Sequence, residues 1–187
     1  MKHRLICPWQ GGKILASSVR TLVHNPVKIL KPYLSTGNTA MDIGCGMGFF
    51  TIPMSGMTGM QGKVIAVDLQ PEMLAGLQKK TEKANCTKIT LHQCTYDSLN
   101  IGQWKGVIDF TLLFMMLHEV PDPERLIREV YEATAPNGKL LFAEPVGHVS
   151  RKDFQKSVSM IQQTGFNTVD FPKISPCRST VFQKKRC

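Results

Sequence analysis

Three glycines at alternate positions follow an aspartate in the stretch TAMDIGCGMGFFTIP, which covers residues 39–53. The glycines are Gly44, Gly46 and Gly48, and the aspartate is Asp42. Glycines this dense between an apolar run and a helix-like segment let the backbone approach a ligand closely. The dinucleotide-binding pattern G-x-G-x-x-G does not fit, because its third glycine would fall at position 49, which is a phenylalanine.

Two carboxylates narrow the kind of ligand that this loop predicts. The negative charge of Asp42 would repel a pyrophosphate and would attract a ligand that carries an ammonium group. Asp68 ends the next apolar run, 24 residues after Gly44, where a carboxylate can accept hydrogen bonds from two ribose hydroxyls. The pattern therefore predicts a nucleoside with a cationic, phosphate-free tail, and S-adenosylmethionine meets that description.

The elements that must position these residues alternate between strands and helices. Apolar runs predict strands at 39–43, 62–69, 88–94, 106–114 and 139–145. Two more strands, at 166–175 and 179–185, are predicted to be antiparallel neighbours. Helices are predicted within 14–34, with a break at Asn25-Pro26, at 48–57, after Pro71, after Asp122-Pro123, and near 151–163. This alternation predicts an α/β fold with a parallel sheet between two layers of helices, whose ligands lie beyond the carboxyl ends of the strands.

Four ordered stretches resemble the class I S-adenosylmethionine-dependent methyltransferases, in the small-molecule branch often labelled methyltransferase type 11. They are MDIGCGMGFF, GKVIAVDLQPEML, IDFTLLFMMLHEVPDPERLIREVYEATAPNGKLLFAEP and the closing GF…STVFQKK, which together cover most of residues 38–187. The resemblance implies a Rossmann-like, doubly wound, mostly parallel seven-stranded sheet with an antiparallel last strand. It also implies S-adenosylmethionine as the cofactor.

The resemblance assigns the first half of a cofactor site position by position. Gly44 and Gly46 would let the backbone pack against the methionyl portion, with Asp42 near its ammonium group. Asp68 would hold the ribose, and Leu69 would lie against the adenine.

The second half of the implied cofactor site departs from the family pattern. After the third strand the family usually has an acidic residue that meets the adenine amine, and this chain has Thr95 there. Thr95 could accept a hydrogen bond from this amine through its hydroxyl, and Tyr96 could form a hydrogen bond to the adenine or stack on it. Leu113, past the fourth strand, would offer its carbonyl to the ammonium group.

A catalytic base is needed only if the methyl acceptor must lose a proton. His118 is the histidine placed nearest the expected site, just beyond the fourth strand, and we favour a structural role at a turn over a catalytic one. Glu119 and Glu144 are weaker candidates. Cys45 has no basic neighbour in sequence and is interpreted as a packing residue.

Motif differences leave the acceptor open within the small molecules. The Asn/Asp-Pro-Pro-aromatic sequence of amine methyltransferases is replaced by LLFMML, and the Arg-Asn pair usual in quinone C-methyltransferases is replaced by Leu117-His118. The cysteine spacing of arsenite methyltransferases is not reproduced either.

Composition indicates an ordinary soluble protein. The 187 residues include 42% hydrophobic and 20% charged residues, which is enough to build a core without metal or disulfide support. Six scattered cysteines without a C-x-x-C pair argue against a zinc site and fit a reducing, cytoplasmic location, so no metal is expected. The first residues lack an apolar signal-peptide segment, and no run is long enough to span a membrane.

The net charge of +9 is concentrated at the two ends of the chain. Residues 1–41 hold six Lys/Arg and no acid, and residues 151–187 hold eight Lys/Arg against two acids. We favour a solvated surface for these charges. The alternative is an RNA-directed methyltransferase or RNA-binding protein that uses the basic termini, although no nucleic-acid module is visible and neither nucleic acid nor membrane is the expected partner.

Two units are expected, a helical N-terminal cap at 1–35 and a cofactor-binding methyltransferase domain at 36–187. The cap is the predicted lid over the acceptor. A lid that carries Arg4, Lys13 and Arg20 would favour an anionic small molecule, because arginine grips carboxylates and phosphates in a fork.

Overall fold

A computed structural model describes residues 23–186 and contains one seven-stranded sheet. The strands are β1 (Thr39–Ile43), β2 (Lys63–Asp68), β3 (Ile89–Gln93), β4 (Ile108–Phe114), β5 (Thr134–Pro145), β6 (Phe166–Asp170) and β7 (Cys177–Lys184). The helices are α1 (Pro26–Leu30), α2 (Thr51–Thr58), α3 (Pro71–Lys83), α4 (Pro123–Ala133) and α5 (Arg151–Gln163). Single turns of 3₁₀-helix lie at Gly102–Trp104 and Leu117–Glu119.

The strand order is β3-β2-β1-β4-β5-β7-β6. The first five strands pair in parallel, and β7 pairs antiparallel with both β5 and β6. The predicted doubly wound, Rossmann-like sheet with an antiparallel last strand is therefore confirmed. The chain changes its direction of travel between β1 and β4, which creates the crevice where such folds bind ligands.

Alternating side chains of the strands divide the core between the two faces of the sheet. On one face, Phe142 and Phe182 pack with the buried sides of α4 and α5. On the other, Phe110 and Leu112 pack with Leu30 of α1 and with α2. Both faces are covered, as expected for a parallel sheet with near-continuous apolar strands.

Prolines begin three helices where the sequence predicted them. Pro26, Pro71 and Pro123 occupy the first turn, where a missing N–H is tolerated. Asp122 caps α4 by accepting a hydrogen bond from the Arg125 amide at 2.9 Å. Asn25 does the same for the Lys28 amide at 3.1 Å.

The fifth strand begins earlier than the predicted Lys139. It starts at Thr134, immediately after α4, and the register against β4 shifts between Ile108 and Phe110. The turn-forming PNG segment is thus absorbed into an irregular strand, with Asn137 at a positive φ of 63°.

Only the last part of the predicted 1–35 cap falls within the described residues. There, Leu30 and Leu34 are buried against the sheet, and the Tyr33 hydroxyl donates to Asp170 in β6. The predicted lid residues Arg4, Lys13 and Arg20 lie outside the described part of the chain. None of the helices in residues 23–186 has the length and apolarity needed to cross a membrane.

Candidate functional site

A cavity of about 350 Å³ opens at the carboxyl edge of the parallel strands. Its wall comes from the segments that follow β1, β2, β3, β4 and β5 in turn. Eight of the residues singled out from the sequence line it together: Asp42, Gly44, Gly46, Asp68, Leu69, Thr95, Tyr96 and His118. The sheet therefore gathers side chains that are up to 76 positions apart in sequence around one space.

The glycine loop is shaped by close contacts on one side and open space on the other. A Cβ added at Gly48, where φ is +85°, would lie 2.4 Å from Cδ1 of Leu77 in α3. A Cβ added at Gly46 would meet no atom within 4 Å. Lys80 of α3 closes the loop by donating from Nζ to the Met47 carbonyl at 2.9 Å. The loop is thus packed against α3 and left open beside the cavity.

The Asp68 carboxylate joins two of the loops that form the cavity. Its Oδ2 accepts from the Gly46 amide at 2.8 Å, and its Oδ1 accepts from the Gln70 amide at 2.9 Å. An ionised carboxylate has about four lone-pair sites, so each oxygen retains capacity for a further donor. Burial raises the pKa of Asp68, and the backbone N–H groups oppose that shift.

The raised pKa of Asp68 predicts a pH dependence of stability in the protein without ligand. A carboxyl with a raised pKa in the folded state binds its proton more tightly there than in the unfolded chain. The stability that this proton binding contributes is therefore lost as the pH rises above 3.8, the ordinary pKa of the group. Between pH 4 and 7, the free energy of unfolding of the wild type should therefore fall relative to Asp68→Asn. Urea unfolding of both proteins across this range measures the change, and a wild type whose free energy of unfolding stays constant or rises with pH relative to Asp68→Asn would contradict the raised pKa.

Asp42 is buried behind the glycine loop at 3% exposure. Its Oδ2 accepts a hydrogen bond of 2.6 Å from Thr51 Oγ1, at the first residue of α2. Asp42 therefore fixes the start of the helix and also lines the cavity. Its contact with α2 therefore leaves room for the predicted contact with a ligand.

The segment after β3 is held in place by a residue that was not among the site residues predicted from the sequence. Glu129 of α4 pairs with Arg125 one turn earlier in the same helix, at 3.4 Å between Nε of Arg125 and Oε1 of Glu129. Its Oε2 also accepts from Ser98 Oγ and from the Asn100 amide, each at 3.1 Å. Glu129 lines the cavity and fixes the segment that carries Thr95. No spacing in the sequence signals this contact, because it joins α4 to a loop some 30 positions away.

The side chain of Leu113 packs inside the sheet, and the contact predicted for its backbone carbonyl stays a prediction. Leu113 is fully buried and is not among the residues that line the cavity. The reason is that β4 continues through Phe114, so the cavity wall begins one residue later. Phe114, Met115 and Met116 form this part of the wall.

Cys45 and Cys94 also line the cavity. Burial raises the pKa of the Cys45 thiol well above its ordinary value and that of Cys94 to about 11. Both are therefore thiols rather than thiolates at neutral pH, which favours packing over nucleophilic chemistry.

His118 is fixed by a buried carboxylate from the neighbouring strand. Its backbone amide donates to Glu144 Oε1 at 3.0 Å, and its ring Nδ1 lies 2.7 Å from Glu144 Oε2. Nε2 lies 3.9 Å from Glu119 Oε1, and the ring centroid lies 6.1 Å from that of His148. The sequence proposed His118, Glu119 and Glu144 separately, and the fold brings all three together.

The cavity is acidic although the chain is basic. Six carboxylates line it, and the described residues contribute no lysine or arginine to its wall. The carboxylates belong to Asp42, Asp68, Asp97, Glu119, Asp122 and Glu129. The arrangement suits a ligand with positive charge and would repel the phosphates of a dinucleotide.

Comparison with protein families gives one match that covers most of the chain. A family model described as a methyltransferase domain matches residues 34–180. Among curated relatives, the demethylmenaquinone methyltransferase of Shouchella clausii (strain KSM-K16) is 28% identical over 152 residues, which are 81% of this chain and 60% of the relative. The demethylmenaquinone methyltransferase of Lactobacillus johnsonii is 31% identical over 108 residues, 57% of this chain and 43% of the relative. The chain thus spans about half the length of these relatives.

Solved structures share the fold at lower identity. A SAM-dependent methyltransferase from Aquifex aeolicus has a TM-score of 0.85 and 21% identity, with 95% of this chain and 99% of that chain covered. The [4+2]-cyclase SpnF has a TM-score of 0.74 and 12% identity, with 87% and 82% covered. The fold therefore occurs in proteins named for different reactions, so the chemistry must be inferred from the site.

Proposed function

Because this chain belongs to the methyltransferase domain family, within the S-adenosylmethionine-dependent methyltransferases, we propose that it methylates a small, uncharged, largely apolar molecule. The observation that supports this most directly is the cavity wall, which combines carboxylates such as Asp42 and Asp68 with apolar side chains such as Phe114 and Met116. The carboxylates would face the cofactor, and the apolar side chains the acceptor.

The residues present fit S-adenosylmethionine. The oxygens of Asp68 are oriented by two amides and retain lone pairs for the ribose hydroxyls. Gly46 leaves open space where a side chain would project, so backbone can lie against the methionyl portion. Asp42, Leu69, Thr95 and Tyr96 are proposed to complete the site as the sequence predicted.

We keep the proposed contact of Leu113 with the cofactor as a backbone contact. The Leu113 side chain belongs to the sheet core, so its carbonyl is the group that would meet the ammonium group.

Bound S-adenosylmethionine supplies a methyl group on a positively charged sulfur. The chain's own part is to hold the acceptor close and aligned and to exclude water. Phe49, Phe114, Met115 and Met116 supply an apolar wall for this purpose.

The acceptor is proposed to be uncharged because of what surrounds it. The anionic acceptor predicted from Arg4, Lys13 and Arg20 depends on residues outside the described chain. Within the described residues, the charged side chains that line the cavity are all carboxylates, and carboxylates would repel an anion. The relatives that act on demethylmenaquinone support a small molecule without identifying this chain's acceptor.

We expect S-adenosylmethionine and its demethylated product to raise the melting temperature, while NAD does not. A ligand at 100 times its Kd should add about 2.7 kcal/mol to the stability. Differential scanning fluorimetry with the three ligands at equal concentration measures this, and stabilisation by NAD alone would overturn the proposed cofactor.

Methyl-labelled S-adenosylmethionine with a cell metabolite extract then identifies the acceptor. Label in small molecules supports the proposal. Label in RNA, with binding that falls steeply as salt rises, would instead favour the RNA-directed alternative.

A further inference from the structure

Glu144 is an unusual residue for the centre of this protein. It lies in β5 at 2% exposure, between the apolar residues of a strand that pairs on both sides. Removing a carboxylate from water costs several kcal/mol unless a partner compensates. Within residues 23–186, the ion-pair partner of Glu144 is His118, at 2.7 Å. Arg178, opposite in β7, is directed elsewhere and donates from Nη1 to the Val149 carbonyl at 2.7 Å.

The two hydrogen bonds to Glu144 fix both the position and the tautomer of His118. The hydrogen bond from the His118 amide fixes the turn, and the hydrogen bond at Nδ1 fixes the orientation of the imidazole ring. A carboxylate acceptor at Nδ1 requires that nitrogen to carry the proton, so Nε2 of the neutral ring carries the lone pair. The same carboxylate stabilises the imidazolium that forms when Nε2 gains a proton.

His118 belongs to the cavity wall, and its side chain is 25% exposed. Among residues 23–186, the charged or titratable groups in contact with it include Glu144 from β5, Glu119 from its own turn and His148 from the segment after β5. Both carboxylates favour a positive charge on the ring. The apolar residues Phe114, Met115 and Met116 precede it along the same wall.

We propose that His118 is a general base, that Glu144 is its positioning residue, and that the acceptor carries a hydroxyl on an unsaturated carbon, of phenol or enol type. This rests on the proposed function. The O–H proton passes to Nε2 of His118, and the acceptor oxygen forms a bond to the methyl carbon. The C–S bond breaks with its electrons left on sulfur, which becomes neutral. The products are a methyl ether, the demethylated cofactor and an imidazolium paired with Glu144.

A weakly acidic hydroxyl matches an imidazole base better than an alkyl alcohol does. Tyrosine, a phenol, has a pKa of about 10 and imidazole one of about 6.5. Methyl transfer offsets this difference, because the negative charge that develops on the acceptor oxygen is consumed as that oxygen bonds to the methyl carbon. An aromatic or enolic framework also suits the apolar wall.

The tautomer of His118 tests the positioning role without any acceptor. Long-range ¹⁵N–¹H NMR of protein labelled at histidine, with His118 assigned by its loss in His118→Asn, reports which ring nitrogen is protonated. We expect the Nδ1–H form in the wild type and its loss or mixing in Glu144→Gln. An Nε2–H form in the wild type, or a tautomer unaffected by Glu144→Gln, would overturn the proposal.

Label transfer tests the base itself. With methyl-labelled S-adenosylmethionine and a cell metabolite extract, we expect label on a hydroxyl oxygen and a rate about 10²- to 10⁴-fold lower in His118→Asn. Glu144→Gln should lower the rate more than Glu119→Gln and move the acidic limb of the pH–rate profile to lower pH. Calorimetric binding of the cofactor should stay within about threefold in all three variants, which excludes simple misfolding.

Two results separate the failure of this inference from that of the proposed function. Label on an atom that loses no proton, such as a thioether sulfur, overturns the general base and leaves the methyltransferase proposal intact. Absence of both label transfer and cofactor binding in the wild type overturns the proposed function, and the acceptor class with it.

Discussion

Replacing Asp68 with alanine should weaken S-adenosylmethionine binding by about 1.5–3 kcal/mol, the range for hydrogen bonds to a charged group. This corresponds to a Kd roughly 10- to 150-fold higher. We expect the effect to have two sources. The proposed hydrogen bonds from the ribose hydroxyls lose their acceptor, and the amides of Gly46 and Gln70 lose the carboxylate that fixes their loops in the structure. Isothermal titration calorimetry measures the change directly.

The stability of the ligand-free Asp68→Ala protein should change less than its binding. Loss of two acceptors destabilises the loops, whereas removal of a buried carboxylate relieves the desolvation that raises the pKa of Asp68. Asp97→Ala is the matched control, because it removes an exposed carboxylate from the rim of the same cavity. Normal binding by Asp68→Ala, or equal losses in both variants, would show that hydrogen bonding at Asp68 is not the cause.

Replacing Phe142 with alanine should lower the free energy of unfolding by about 3–5 kcal/mol, the usual cost of a fully buried phenylalanine. Phe142 is fully buried in β5 and stacks on Phe154 of α5, with ring centroids 5.2 Å apart and an interplanar angle of 5°. The contact joins the sheet to the helix layer, so truncation leaves a cavity between them. The melting temperature should fall by about 6–20 °C for a chain of this size.

Phe171→Ala provides the control, because this phenylalanine is 69% exposed. We expect a change within about 0.5 kcal/mol there, as for other surface substitutions. Urea unfolding of the two variants compares the same chemical change in two environments. A loss below about 1 kcal/mol in Phe142→Ala would mean that the stacked pair contributes little to the core.

Local signals in the sequence were sufficient to predict most of the fold. Proline at the first turn, preceded by Asn25 or Asp122, marks helix starts through chemistry that operates within four residues. The glycine loop and Asp68 likewise stand at strand ends, where the parallel topology brings them to one edge. The cavity could therefore be anticipated from strand ends alone.

Such local signals could not predict the contacts between segments that are distant in sequence. The pairing of His118 with Glu144 depends on β4 and β5 lying side by side in a particular register. The reach of Glu129 to the segment after β3 depends on how α4 packs across the sheet. The early start of β5 depends on a register shift that permits pairing at Thr134. Each is decided by tertiary packing, which outweighs local preference.

The position of β7 has a consequence for synthesis on the ribosome. β7 follows β6 in the chain but lies between β5 and β6 in the sheet, and among the strands that the structure describes, β6 pairs with β7 alone. As the polypeptide emerges, β6 leaves the exit tunnel before any neighbour for its backbone exists. The N–H and C=O groups of residues 166–170 must then remain hydrated until residues 177–184 arrive. Vectorial folding can complete the five parallel strands first, and the final hairpin is inserted as one step.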